Sequence, residues 1–138
     1  MEIPTGTFKT HKERGEWAEL CFMAKAAGKG LRVLKPYGDS SSYDIGVERE
    51  DRILRVQIKS TNRTRRGTGY YALHLHGWNE EVYAKGSVDF FAVYLIPLDT
   101  WYILPFEEVE GKLSLHLNPG GGSEKHKKYR EAWDLLKS

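Results

Sequence analysis

The chain has 138 residues, with 21 Lys and Arg against 19 Asp and Glu, for a formal charge of +2. That length supports one domain with a single core, and the near-neutral balance argues against a protein that coats polyanions, while leaving room for a local basic patch. Cys21 stands alone, which excludes an intrachain disulfide and a Cys-rich zinc site and favours a reducing compartment.

Thr10 to Gly28 predicts a helix, Ala-rich and free of Pro, with Gly28 and Gly30 as stop signals. At about 100° per residue, Trp17, Leu20, Phe22, Met23, Ala24, Ala26 and Ala27 form one apolar arc, with Arg14, Ala18, Cys21 and Lys25 opposite. Glu16 and Glu19 project within that arc, where a carboxylate must neutralise, pair or bind a cation. Three β-like runs follow, Leu31 to Lys35, Tyr43 to Glu48 and Ile53 to Lys59, divided by the loop 36–42 and the charged stretch Arg49-Glu50-Asp51-Arg52. Tyr70 to His76 predicts another strand, Trp78 to Lys85 a short helix stopped by Gly86, and Val88 to Ile96 a strand buried on both faces. Thr100 to Leu104 and Lys112 to Leu117 read as further strands, and Ser123 as the N-cap of a final helix to Leu136. The apolar run from Phe90 to Ile96 is far short of the ~20 residues that span a bilayer, and Met1 to Arg14 has no stretch of signal-peptide length. The expectation is a single α/β domain over 1–138, cytoplasmic and without a membrane partner.

The chemistry concentrates on the second and third strands. Leu54, Val56 and Ile58 share one face; Arg55, Gln57 and Lys59 share the other. A hairpin closed by two or four residues sets Asp44 opposite Gln57 with Lys59 diagonal to both, and small Gly46 beside them leaves space for a ligand. A carboxylate from Asp44, an amide oxygen from Gln57 and the backbone carbonyl of Ile58 form a hard-oxygen set of the kind that suits Mg²⁺. Lys59 can stabilise phosphate charge or position a water, and Glu19 can reach the same patch.

These residues resemble the PD-(D/E)XK nuclease superfamily, and within it the branch of group I intron-associated endonucleases. The matching text is Gly15-Glu16-Trp17-Ala18-Glu19, Tyr43-Asp44-Ile45 and Val56-Gln57-Ile58-Lys59-Ser60, continuing through Val88 to Tyr94 and Trp101 to Pro105. The resemblance implies a restriction-endonuclease-like core of helix, three strands, helix and strand, here with a C-terminal helix. It makes Asp44 the metal-binding Asp, Lys59 the catalytic Lys and Glu19 the helical acidic residue. Tyr43 stands for the nominal Pro and Gln57 for the nominal acid; the intron-associated branch is similar in using Gln there. Glu16 is the reserve acid. The implied cofactor is Mg²⁺, with Mn²⁺ as a substitute.

From Arg55 to Gly69 there is no acid, while Arg55, Lys59, Arg63, Arg65 and Arg66 interleave with Thr and Asn, a pattern suited to a nucleic-acid backbone. Lys35, Arg63, Arg65 and Arg66 are the expected DNA contacts. The group Lys125, Lys127, Lys128 and Arg130 is diluted by acids and reads as a solvated face. His74 and His76 share a strand face but lack a Cys partner for zinc, and Gly120-Gly121-Gly122-Ser123 lacks the Lys of a P-loop. The expected function is a metal-dependent DNA endonuclease acting as a homodimer or higher symmetric oligomer. Its rivals are a non-catalytic DNA-binding module of the same fold and a structure-selective, junction-resolving nuclease.

Overall fold

The computed structural model describes residues 8–38, 41–65, 68–76, 81–121 and 124–137. Its first element, α1 (His11–Gly28), starts where the Thr10 hydroxyl accepts the Glu13 N–H at 3.0 Å. The buried stripe is Ala18, Phe22 and Ala26, spaced four apart on one face. This corrects the expected arc: Ala18 lies at its centre, whereas Leu20 is 61% exposed and Ala24 and Ala27 face solvent. Two alanines at the contact let the helix lie close to the sheet, so only a narrow stripe is covered.

Among the described residues seven strands follow: β1 (Arg32–Leu34), β2 (Ile45–Glu48), β3 (Ile53–Thr61), β4 (Tyr71–His74), β5 (Phe90–Leu95), β6 (Thr100–Pro105) and β7 (Ser114–Leu117). They form a mixed sheet in the order β1-β2-β3-β5-β6 and a small antiparallel pair, β4-β7. Within the large sheet β3 and β5 are the parallel neighbours. The β2–β3 hairpin turns through four residues, Arg49 to Arg52, and pairs Ile45 with Val56 and Val47 with Leu54. That is the expected register.

One face of the sheet, carrying Ile45, Val47, Leu54, Val56, Ile58, Ala92 and Tyr94, packs on α1. The other face packs Phe91, Val93, Leu95, Tyr102 and Leu104 against Tyr71, Leu73, Leu115 and Leu117 of the small sheet and against the short helix α2 (Phe106–Val109). The result is three layers, with β5 buried on both sides as its continuous apolar run predicts.

Two predicted helices differ. Of Trp78 to Lys85, residues 78–80 lie outside the described residues, and 81–85 are not helical: Val82 forms a β-bridge with His76. At the C-terminus two 3₁₀ turns, Lys127–Tyr129 and Trp133–Leu136, replace a continuous helix; Ser123 lies outside the described residues. Glu131 explains the break, because its φ of +52° is incompatible with an α-helix. Its carboxylate accepts the Trp101 N–H at 2.9 Å and the Trp133 indole N–H at 2.7 Å, which seats Trp133 on Phe22 with ring centroids 5.3 Å apart. Among the described residues no helix is long and apolar enough to cross a membrane.

Candidate active site

Asp44 sits one residue ahead of β2, where the chain leaves the ladder. Its N–H donates to the Val56 carbonyl at 3.0 Å, and its Oδ2 accepts the Ile58 N–H at 2.9 Å. The N–H and C=O of one strand residue point to the same side, so the Ile58 carbonyl also faces the side on which Asp44 stands. Because the chain turns here, Tyr43 packs against the small-sheet core rather than with Ile45 and Val47 as alternation predicts. Gly46 does not leave ligand space: a Cβ there would meet Ile53 Cγ2 at 2.8 Å, so the gap is filled by packing.

Asp44, Glu19 and Glu16 line a pocket of about 540 Å³ with Lys12, Lys35 and Tyr43. Glu19 is half-buried beside the α1 stripe, and its Oε1 meets the Lys35 Nζ at 2.5 Å. Lys35, expected on the DNA backbone, therefore stands inside the acidic pocket. Burial pushes the Asp44 carboxyl above its ordinary pKa; the Ile58 N–H opposes this, Glu19 adds to it, and Lys35 and Lys59 pull it down.

Lys59 projects from β3 on the face away from α1. Burial lowers its pKa and the Asp44 carboxylate opposes that shift. Its ammonium lies 5.4 Å from the centre of the Tyr83 ring, which stands edge-on to Phe91. Tyr83 is itself pushed up to about 12 by burial and the Asp44 charge. The sequence pattern missed this residue, placing it only within the expected helix from Trp78 to Lys85. Gln57 is half-buried on the same face as Lys59 and does not line the acidic pocket. Glu19 and Lys59 thus approach Asp44 from opposite layers of the sheet.

The basic run is divided. Arg55 is committed to Asp89, which accepts its N–H at 2.7 Å and its Nε–H at 3.2 Å, while Arg52 reaches the same carboxylate at 2.9 Å. Burial tends to raise the Asp89 pKa, but these bonds and charges hold it below the usual carboxylate value. Arg63 and Arg65 are exposed beyond β3, and Arg66 lies outside the described residues.

A sequence model of the PD-(D/E)XK endonuclease family matches residues 9–136. The chain belongs to this family. The PD-(D/E)XK assignment identifies it as a nuclease and agrees with the helix-then-sheet order. A solved bacterial homing endonuclease, I-Ssp6803I, is 28% identical, with a TM-score of 0.77 over 94% of this chain and 92% of that one. The Holliday junction resolvase Hjc of Archaeoglobus fulgidus is 17% identical, with a TM-score of 0.53 over 76% of this chain and 84% of that one. The second likeness is one of fold, and both place the chain in the restriction-endonuclease-like class. Among curated proteins nothing matches.

Proposed function

We propose that this PD-(D/E)XK protein is a metal-dependent DNA endonuclease. The observation that carries the reading is Asp44: a half-buried carboxylate oriented by the Ile58 N–H, between the negative charge of Glu19 and the positive charge of Lys59. Asp44 and Glu19 would hold Mg²⁺ or Mn²⁺, aided by the Ile58 carbonyl, with Gln57 outside the pocket on the Lys59 face. The donor set fits such an ion. Among the described residues no group of three His, Cys, Asp or Glu is placed to hold a metal ion, but Mg²⁺ usually takes only one or two carboxylates and keeps several waters. When bound, the ion supplies Lewis-acid polarisation of a phosphate and a lowered pKa for its water.

The chain's own residues supply the rest. Lys59, held over the Tyr83 ring, offers positive charge to a scissile phosphate beside Asp44. Lys35 balances Glu19 and must yield it to a cation. Arg63, Arg65 and Arg66 are the proposed backbone contacts. The 28% identical neighbour is a homing endonuclease, which supports DNA as substrate. One such site per chain cuts one strand, so cleavage of a duplex calls for a symmetric homodimer or larger oligomer.

The test is cleavage of supercoiled plasmid, linear duplex and four-way junctions with Mg²⁺, Mn²⁺ or EDTA. Wild type should cut with either ion and not in EDTA, and Asp44→Ala and Lys59→Ala should lose at least about 10²-fold. Preferential cutting of the junction would identify a structure-selective nuclease. No cleavage of any substrate would overturn the enzymatic reading.

A further inference from the structure

Positive charge gathers at a second place, distinct from the acidic pocket. A cavity of about 310 Å³ lies between the start of α1 and the chain just past β3, lined by Lys9, His11, Arg14, Asn62 and Arg63. Arg14 is half-buried, and its Nε lies buried without a hydrogen-bond partner among the described residues. Arg14 and Arg63 line the same cavity, and the pKa of Arg14 is lowered by burial first and by the Arg63 charge second. Among the described residues no carboxylate pairs with Lys9, Arg14 or Arg63.

Other arginines of similar burial are differently placed. Arg55 has Asp89, Arg130 has Glu124, and Arg49 donates to the carbonyls of Leu135 and Leu136. A structural arginine is expected to find such partners, because a buried cation without one costs stability. Two like charges converging on one cavity are complementary to an anion, and their fork geometry matches a phosphate.

The position also fits. Arg14 precedes Glu19 by five residues on α1, about 7.5 Å along the axis. Arg63 follows Lys59 by four residues along β3 and its exit. At about 3.3 Å per residue that is about 13 Å, so the cavity lies to one side of the candidate catalytic groups along the same two elements.

We propose that Arg14 and Arg63, with Lys9, form a pocket for one backbone phosphate of the DNA, flanking the phosphate that is cut. This rests on the DNA endonuclease reading and specifies how the substrate strand is held. It also gives the Arg14 guanidinium, which no carboxylate among the described residues neutralises, an anionic partner.

The experiment measures binding of a labelled duplex in EDTA across a salt series, for wild type, Arg14→Gln, Arg63→Gln and the double variant, alongside melting temperatures and plasmid cleavage. Each single variant should weaken binding about tenfold at 0.1 M salt and lower the salt slope by about one. Arg14→Gln should melt no lower than wild type, since it removes an uncompensated charge; a structural arginine would melt lower. Arg63→Gln, on an exposed loop, tests the same pocket without disturbing the helix. Wild-type affinity and slope in both variants, with wild type still cutting DNA, would overturn the pocket alone. Inorganic phosphate that raises the wild-type melting temperature while both variants bind DNA normally would make it a free-anion site and overturn the proposal. A wild type that neither binds nor cuts DNA would overturn the endonuclease reading and the pocket with it.

Discussion

The Asp44 carboxylate accepts the main-chain N–H of Ile58 at 2.9 Å, across the gap left where β2 ends one residue short of it. A strand N–H that would otherwise lose its partner thereby orients the acid, and the acid is held against the edge of β3 instead of swinging free. This bond favours the ionised form, yet burial outweighs it and Glu19 adds repulsion.

An ionised Asp44 is therefore a cost to the fold. Its folded pKa lies above its unfolded one, so between those values the folded state keeps a proton that the unfolded state has released. Stability falls as pH rises through that window and stays lower above it. Asp44→Asn keeps an acceptor for Ile58 and removes the charge. It should raise stability at neutral pH by about 1 kcal/mol and abolish cleavage, a stability gain at the expense of activity. Denaturant melts at pH 7 and at acidic pH check both the size and the pH dependence.

Tyr83 holds the Lys59 ammonium over its ring, an interaction of about 0.5–2 kcal/mol. Tyr83→Ala should slow single-turnover cleavage roughly tenfold at saturating metal. Tyr83→Phe keeps the ring face and should remain within about twofold of wild type. Equal loss in both variants would assign the effect to the hydroxyl instead.

Asp89 joins β3 to the start of β5 by accepting from the Arg55 backbone and guanidinium and from Arg52. Asp89→Ala strands Arg55 and should cost about 2 kcal/mol, seen as a lower urea midpoint with an unchanged slope. Because the folded pKa of Asp89 is depressed, its contribution is present above the unfolded carboxylate value and is lost as pH falls through the folded one. The acid limb of the stability curve should flatten in the variant.

His126 is 5% exposed, and its Nδ1 has no hydrogen-bond partner among the described residues. Burial, with Lys125 and Lys112, lowers its pKa against the opposing pull of Glu108 and Glu124. The unfolded chain therefore binds a proton that the folded chain refuses, and stability falls as pH drops below the ordinary His value of about 6.5. His126→Gln should reduce the loss between pH 7 and pH 5, measured by thermal melts at the two values.

Much of the site is legible because it rests on local rules. Alternation along 53–59 and a four-residue loop fix the Ile45–Val56 register, and that register brings Asp44 beside β3. The apolar run of β5 announces a strand covered on both faces. What escapes the sequence depends on contacts distant along the chain. Arg55 looks like a free cation until Asp89, 34 residues on, is placed against it. Tyr83 gains its role only when the segment after β4 folds over Lys59, and Glu131 ends a helical pattern through a left-handed backbone that composition does not signal. Gly46 invites a ligand on paper, but the Ile53 side chain from the partner strand takes that space.

Under the proposed function, Asp44 is the residue that would hold the divalent ion. Calorimetric titration of Mn²⁺ into wild type, Asp44→Asn and Glu19→Gln tests it most directly. Saturable binding in wild type, lost in Asp44→Asn and weakened in Glu19→Gln, is the predicted result. Binding that persists unchanged in Asp44→Asn, or is absent from a wild type that still cuts DNA, would contradict it.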